Sequence, residues 1–329
     1  MEHSSKPDIC PTVQHFAMPA FILGTFLFAW AIWLVPRWLN LQDAIALRHW
    51  VALGSFAPAL MVLVLQFVDQ QARQRWMQGR WLEDLLLSIL AVAALYFICL
   101  PYASSTPFQV SLLGWGARVI LFVAGGAVLW MVLRQVSLPQ TVKGWLIWIT
   151  AALAYPLLML AGWGIWALAT GSAQIHSPEG GAGRFVLTVL TSWVYLFLFG
   201  GTLGSEPGWR GWYFSRLLKH QPFWAAVLMT GGLEALWMVP LVFNGLNPAV
   251  GSLWQELAYR VLMILLHAVL LGWVYVRLQG NLFPVMLLRA GMLVTPLFID
   301  FTPLSIGFLV ILALGLTLNV RRIPGFQSG

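Results

Sequence analysis

The stretch "GSEPGWRGWYFSRL", Gly204–Leu217, places Glu206, Arg210 and Arg216 in a chain where only 9% of residues are charged. Glu206 and Arg210 are four residues apart, one helical turn, and can pair on one helix face. Glu234, in "GGLEALWMVPL", lies deep in an apolar run that offers it no counter-charge. Arg289, in "NLFPVMLLRAGML", follows Pro284 by five residues. Carboxylates can take a proton from water or hold a metal, whereas a guanidinium is a permanent cation. Charge at membrane depth is costly, and by default it faces the bundle interior or a water-filled cavity. Spacing alone leaves two readings open in each case. Glu206 and Arg210 form an interfacial ion pair or belong to a site; Arg289 snorkels to the interface or pairs with a buried carboxylate.

Two further groups are weaker candidates. His267, in "LMILLHAVLL", is the only histidine deep in an apolar run. It reads as a hydrogen-bonded core residue, with metal ligation as the sharper alternative. Asp300 falls at a hairpin turn and reads as solvated. The chain holds no HExxH, GxSxG, glycine-rich phosphate loop or CxxC pair.

The elements that must position these groups are membrane helices. Of 329 residues 60% are hydrophobic, and the mean hydropathy is +0.81. Soluble domains carry about 25% charged residues, and apolar runs of roughly 18 or more read as membrane spans. Such runs recur at 16–35, 51–68, 84–101, 115–133, 144–169, 185–204, 223–243, 257–277, 283–299 and 304–320. The fold class is therefore all-α: a polytopic integral membrane helix bundle of about ten transmembrane helices. Continuous apolar runs exclude a transmembrane barrel, whose strands alternate apolar and polar residues. The first run has no small-residue cleavage site after it and reads as a first transmembrane helix. Cys10 and Cys99 form no disulfide framework.

The net charge of +7 does not point to nucleic acid, because the basic residues lie in short joins between apolar runs. Alternate joins, beginning with the N-terminal tail, hold twelve Lys and Arg; the others hold three, Arg37, Arg48 and Arg184. That bias places both termini in the cytoplasm of an inner-membrane protein, with Glu206–Arg216 at the cytoplasmic face. Arg118, Arg260 and Arg289 fall within spans. Trp33, Trp38, Trp50, Trp76, Trp81, Trp115, Trp145, Trp209, Trp212 and Trp224 gather at span ends, as an interfacial aromatic belt would.

The charged stretches also resemble a known family. "GSEPGWRGWYFSRL" is similar to the first motif of the CPBP family, the type II CAAX prenyl proteases and Abi membrane proteins, usually GEE-x-GWRG-x-x-x-x-RL. The match covers Gly204, Glu206, Gly208, Trp209, Arg210, Gly211, Arg216 and Leu217. "EALWMVPL" resembles the second motif, W-x-x-WH-x-P, through Trp237 and Pro240. "GNLFPVMLLRAGML" resembles the third, G-S-x-x-P-x-x-x-x-HA-x-x-N, through Gly280, Pro284 and Ala290. Upstream, "LGSFAPALMVLVL" is similar to a Gly-x-x-x-Pro-Ala helix of many bacterial members. The resemblance implies a tail at 1–15, N-terminal transmembrane helices at 16–140, a CPBP-like core at 141–322 and a tail at 323–329. It also implies metal-dependent peptide hydrolysis in a cavity built from the three motifs.

The departures fall on the chemistry. The family's first glutamate, the expected base for water, is Ser205 here. The histidine of the second motif is Met238. That of the third is Arg289, and the asparagine four residues later is Leu293. Of the expected catalytic groups only Glu206 and Arg210 remain. The motif cavity is expected to hold Ser205, Glu206, Arg210, Glu234, Trp237, Met238, Arg289 and Leu293, with two acids balancing two guanidiniums. A zinc-like divalent metal of the family type finds no ligand set: methionine is a soft donor, and a guanidinium does not coordinate. No cofactor is predicted.

Three functions follow. The first is a pseudoprotease that binds or regulates a membrane peptide or protein, in contact with membrane lipid. The second is an active intramembrane metallo-endopeptidase of CAAX-protease type with a rearranged site using Glu206, Glu234 and His267. The third is a transporter or channel.

Overall fold

The structure is a computed structural model that describes residues 11–39, 44–69, 74, 77–103, 112–136, 138–171, 176, 181–243 and 252–319. The tails at 1–10 and 320–329, with Cys10, Arg321 and Arg322, lie outside these residues, as do Arg73, Arg75 and Trp76. Among the described residues the elements are helices without a strand. An apolar segment in a bilayer must satisfy its backbone internally, and a helix does so within one segment.

Six helices are long and apolar enough to cross a membrane: Phe16–Trp38, Trp81–Cys99, Trp115–Leu133, Val142–Thr170, Gly181–Leu217 and Leu253–Arg277. A seventh candidate is the pair Leu47–Ser55 and Ala57–Val68, bent by 42°. Three further apolar helices, Phe223–Trp237, Leu282–Leu297 and Pro303–Asn319, are shorter. All ten expected runs are helical, but the structure establishes six or seven of spanning length. A helix rises about 1.5 Å per residue, and the short ones fall below the roughly 30 Å of a hydrocarbon core.

Side chains set several helix starts. Thr141 accepts a bond from the Gly144 amide at 3.1 Å. Ser252 and Gln255 form a reciprocal capping box. Asn281 caps the helix that carries Arg289 through the Phe283 amide at 3.2 Å.

The Gly181–Leu217 segment breaks after Phe199 and resumes as a short helix, Thr202–Glu206, followed by a π-helix over Pro207–Phe214. A π turn within a helix is frequent at functional sites. This wider turn starts immediately after Glu206 and carries Arg210 as its fourth residue. The bent pair crosses the segment at Gly204 and Gly208, on the same face. A Cβ at 204 would lie 2.6 Å from the Ser55 carbonyl oxygen, and one at 208 would lie 2.5 Å from the Pro58 carbonyl carbon. The two backbones meet as small residues permit in membrane bundles. The upstream Gly-x-x-x-Pro-Ala phrase is thus the direct packing partner of the first motif.

The tryptophan belt holds only in part. Trp38, Trp115, Trp145 and Trp224 are exposed, but Trp33, Trp209 and Trp212 are buried. Trp209 packs edge-on to Phe21, with ring centroids 5.6 Å apart, and lies 5.8 Å from Trp237. Trp33 lies 4.9 Å from Trp237, and Trp30 donates to the Trp237 carbonyl at 3.0 Å. Position near a span end does not distinguish an interfacial ring from one covered by a neighbouring helix. Here the first helix covers the motif region.

Candidate functional site

Three helices bring the four central charges together. The segment ending in the π-helix supplies Glu206 and Arg210, Phe223–Trp237 supplies Glu234, and Leu282–Val294 supplies Arg289. They close into a ring of alternating sign. Arg210 Nη1 lies 3.2 Å from Glu206 Oε1 and 2.6 Å from Glu234 Oε2. Arg289 Nη2 donates to Glu234 Oε1 at 2.9 Å, and its Nε lies 3.7 Å from Glu206 Oε1. Each carboxylate therefore touches both guanidiniums. Glu206 and Glu234 are fully buried, Arg210 is 1% exposed and Arg289 6%. A buried charge persists only when it is paired, and this ring sums to zero. Arg289 is a buried partner of Glu234, not a snorkelling residue.

Beside the ring lies a cavity of about 510 Å³. Its wall includes Ser205, Trp237, Met238, Arg289 and Leu293. Four positions at which the family motifs carry catalytic side chains and this sequence does not, Ser205, Met238, Arg289 and Leu293, all face this space. Glu206, Arg210 and Glu234 were expected on the cavity and are not among its lining residues; they sit behind Arg289 and Ser205. Their charges are satisfied by one another, and the first turn of the motif is pressed against Ser55 and Phe56 through Gly204.

The residues present do not fit the divalent metal that the resemblance implies. Both carboxylates are held between two guanidiniums, which repel a cation from the same place. His267 is committed elsewhere: its Nε2 is 3.0 Å from the Tyr155 hydroxyl. Arg289 and Arg210 both act on this imidazole electrostatically. Among the described residues no three His, Cys, Asp or Glu gather closely enough to hold a metal ion.

Several residues near the site carried no assigned role in the sequence. Arg48 and Arg260 line the cavity, as do Ser55, Ser192 and Tyr195. Arg260 Nε pairs with Glu256 Oε1 at 2.6 Å. Arg118 is 1% exposed, donates to His49 Nε2 at 3.3 Å and lies over the rings of Tyr96 and Trp115. An arginine inside a span is itself a signal, and Arg118 and Arg260 show it. Arg48 gave none, because it sits beside a join and counts there as a topology charge. Arg216 of the first motif lies over the Trp212 ring, 3.8 Å from its centroid, and donates to the Trp212 carbonyl at 3.3 Å. Asp300 is exposed, as expected, and lies 3.1 Å from His176.

Membrane-length helices around a buried charge ring and an internal cavity define the class: a polytopic helical membrane protein with its candidate site inside the bundle. Residues 187–295 match the family model for Type II CAAX prenyl endopeptidase Rce1-like proteins, a stretch that contains all three motifs. The match covers about a third of the chain and is a likeness of that stretch to the family model. No curated protein sequence matches the chain.

Proposed function

We propose that this membrane protein of CAAX-protease type binds or regulates a membrane peptide or protein without hydrolysing it. The observation that carries this reading is the closed ring. Arg289 stands where the family motif has a histidine, and its guanidinium engages both carboxylates that hydrolysis would need. A carboxylate paired with a fixed guanidinium is a weaker base toward water than a free one, and here both acids are paired. Ser205, at the position of the expected base, has a hydroxyl that is far less basic than a carboxylate. The cavity beside the ring, about 510 Å³ in volume, falls in the usual range of ligand sites.

The test pairs metal content with cleavage. Protein purified in mild detergent is expected to carry no stoichiometric divalent metal, and a chelator should leave its melting temperature unchanged. Proteoliposomes holding it should cleave a fluorescent prenylated peptide no faster than empty vesicles. One zinc per chain together with chelator-sensitive cleavage would establish the rearranged endopeptidase instead.

The proposed setting is the inner membrane, with both termini cytoplasmic, supported by the bias in Lys and Arg between alternate joins. A cytoplasmic reporter fused after Gly329 should be active in cells, and a periplasm-dependent reporter should be silent. The reverse pattern would invert the topology and move the motif face to the other side.

A further inference from the structure

We propose that the cavity beside the charge ring binds the headgroup of an anionic glycerophospholipid. The described lining contains three arginines and no aspartate or glutamate. They are graded in depth. Arg48 is exposed at the mouth, Arg260 is half-buried on the wall, and Arg289 is buried at the floor. Arg289 Nε is buried and has no hydrogen-bond partner, although its guanidinium is otherwise engaged by the ring. Tyr195, also on the wall, lies within electrostatic reach of both Arg48 and Arg118, which adds a fourth cation behind the surface.

Guanidinium groups bind phosphate oxygens by paired, charge-assisted hydrogen bonds, and hydroxyls complete such sites. The hydroxyl-bearing side chains here are Ser55, Ser192, Ser205 and Tyr195. The remainder of the lining is apolar and reaches Leu297, which is 51% exposed. A phosphate with an attached apolar body matches this division: the anion goes to the arginines, and the acyl chains leave over Leu241 and Leu297. A zwitterionic headgroup would bring its ammonium to a wall that offers no acid. The charge ring is neutral by itself, and Arg260 is balanced by Glu256. Arg48 therefore sets the demand for an anion at the mouth. This inference concerns the cavity alone and holds whether or not the protein cuts peptides.

The test uses the full-length protein in a neutral detergent and short-chain dioctanoyl lipids below their micellar concentration. Dioctanoyl phosphatidylglycerol should bind saturably and raise the melting temperature, and dioctanoyl phosphatidylcholine should bind about tenfold more weakly, the factor one charge-assisted contact supplies. Arg48→Gln, an exposed position outside the ring, should weaken phosphatidylglycerol by a similar factor without changing the melting temperature of the lipid-free protein. Equal affinity for the two lipids, or an Arg48→Gln protein that binds as the native one does, would overturn the proposal. Inorganic phosphate should compete only at far higher concentration; competition at equal concentration would show a site for the free oxyanion, and would remove the lipid from the assignment. Displacement of phosphatidylglycerol by an uncharged apolar peptide at equal concentration would also count against it.

Discussion

Glu234→Ala is expected to destabilise this protein more than Arg289→Met does. Removing Glu234 leaves Arg210 and Arg289 against the single carboxylate of Glu206, and neither guanidinium can shed its proton. An uncompensated buried charge of this kind costs about 3–5 kcal/mol. Removing Arg289 leaves Arg210 between Glu206 and Glu234, with Nη1 at 3.2 and 2.6 Å from them. The surplus is then a carboxylate, which can discharge itself by taking up a proton. The double variant Glu234→Leu with Arg289→Met leaves a neutral Glu206–Arg210 pair and should recover much of the loss. Melting temperatures of the two singles and the double in detergent give the coupling directly. Additive effects would show that the 2.9 Å Arg289–Glu234 contact contributes nothing to the fold.

Gly208→Ala should also be strongly destabilising, by about 1–3 kcal/mol for overpacking that the backbone must absorb. Its added methyl would meet Pro58 Cβ and the Pro58 carbonyl carbon, both backbone-fixed positions. The neighbour cannot swing away as a flexible side chain would, so the bent helix pair must move off the first motif. Gly232→Ala is the control. A Cβ there meets nothing within 4 Å, and alanine is favoured over glycine in a helix by about 0.5–1 kcal/mol. Gly232→Ala should thus hold or raise the melting temperature while Gly208→Ala lowers it. Equal effects at the two positions would mean that the crossing at Pro58 is not tight.

Much of the site was legible because membranes simplify the sequence. In a chain with few charges, each buried acid or base stands out, and the demand for neutrality narrows its partners. Glu234 lacks a counter-charge in its own helix and Arg289 needs one, so Glu234 is the first candidate partner and Glu206 the second, with snorkelling the open alternative. The motif resemblance points separately to the positions of Glu206, Arg210 and Arg289, and to Glu234 only as a neighbour of Met238. The helical class was equally fixed, since continuous apolar runs admit no other backbone that satisfies itself in lipid.

The tertiary structure decided what linear position cannot express. It closed the pair into a ring of four, with Glu206 at the end of a short helix and Arg210 on the π-helical turn that follows it, a break that no residue pattern announces. It separated the ring from the cavity: Ser205 and Arg289 face the open space, whereas Glu206 and Glu234 lie behind it. It turned Trp33 and Trp209 from interfacial rings into core, since burial depends on which helix lies alongside. Arg48 became a cavity residue for the same reason, although in sequence it is one more basic residue beside a join. Sequence alone determined which groups must be neutralised and what kind of segment carries them. Helix packing determined which partners meet and which side chains line the cavity, because those depend on distances between segments far apart in the chain.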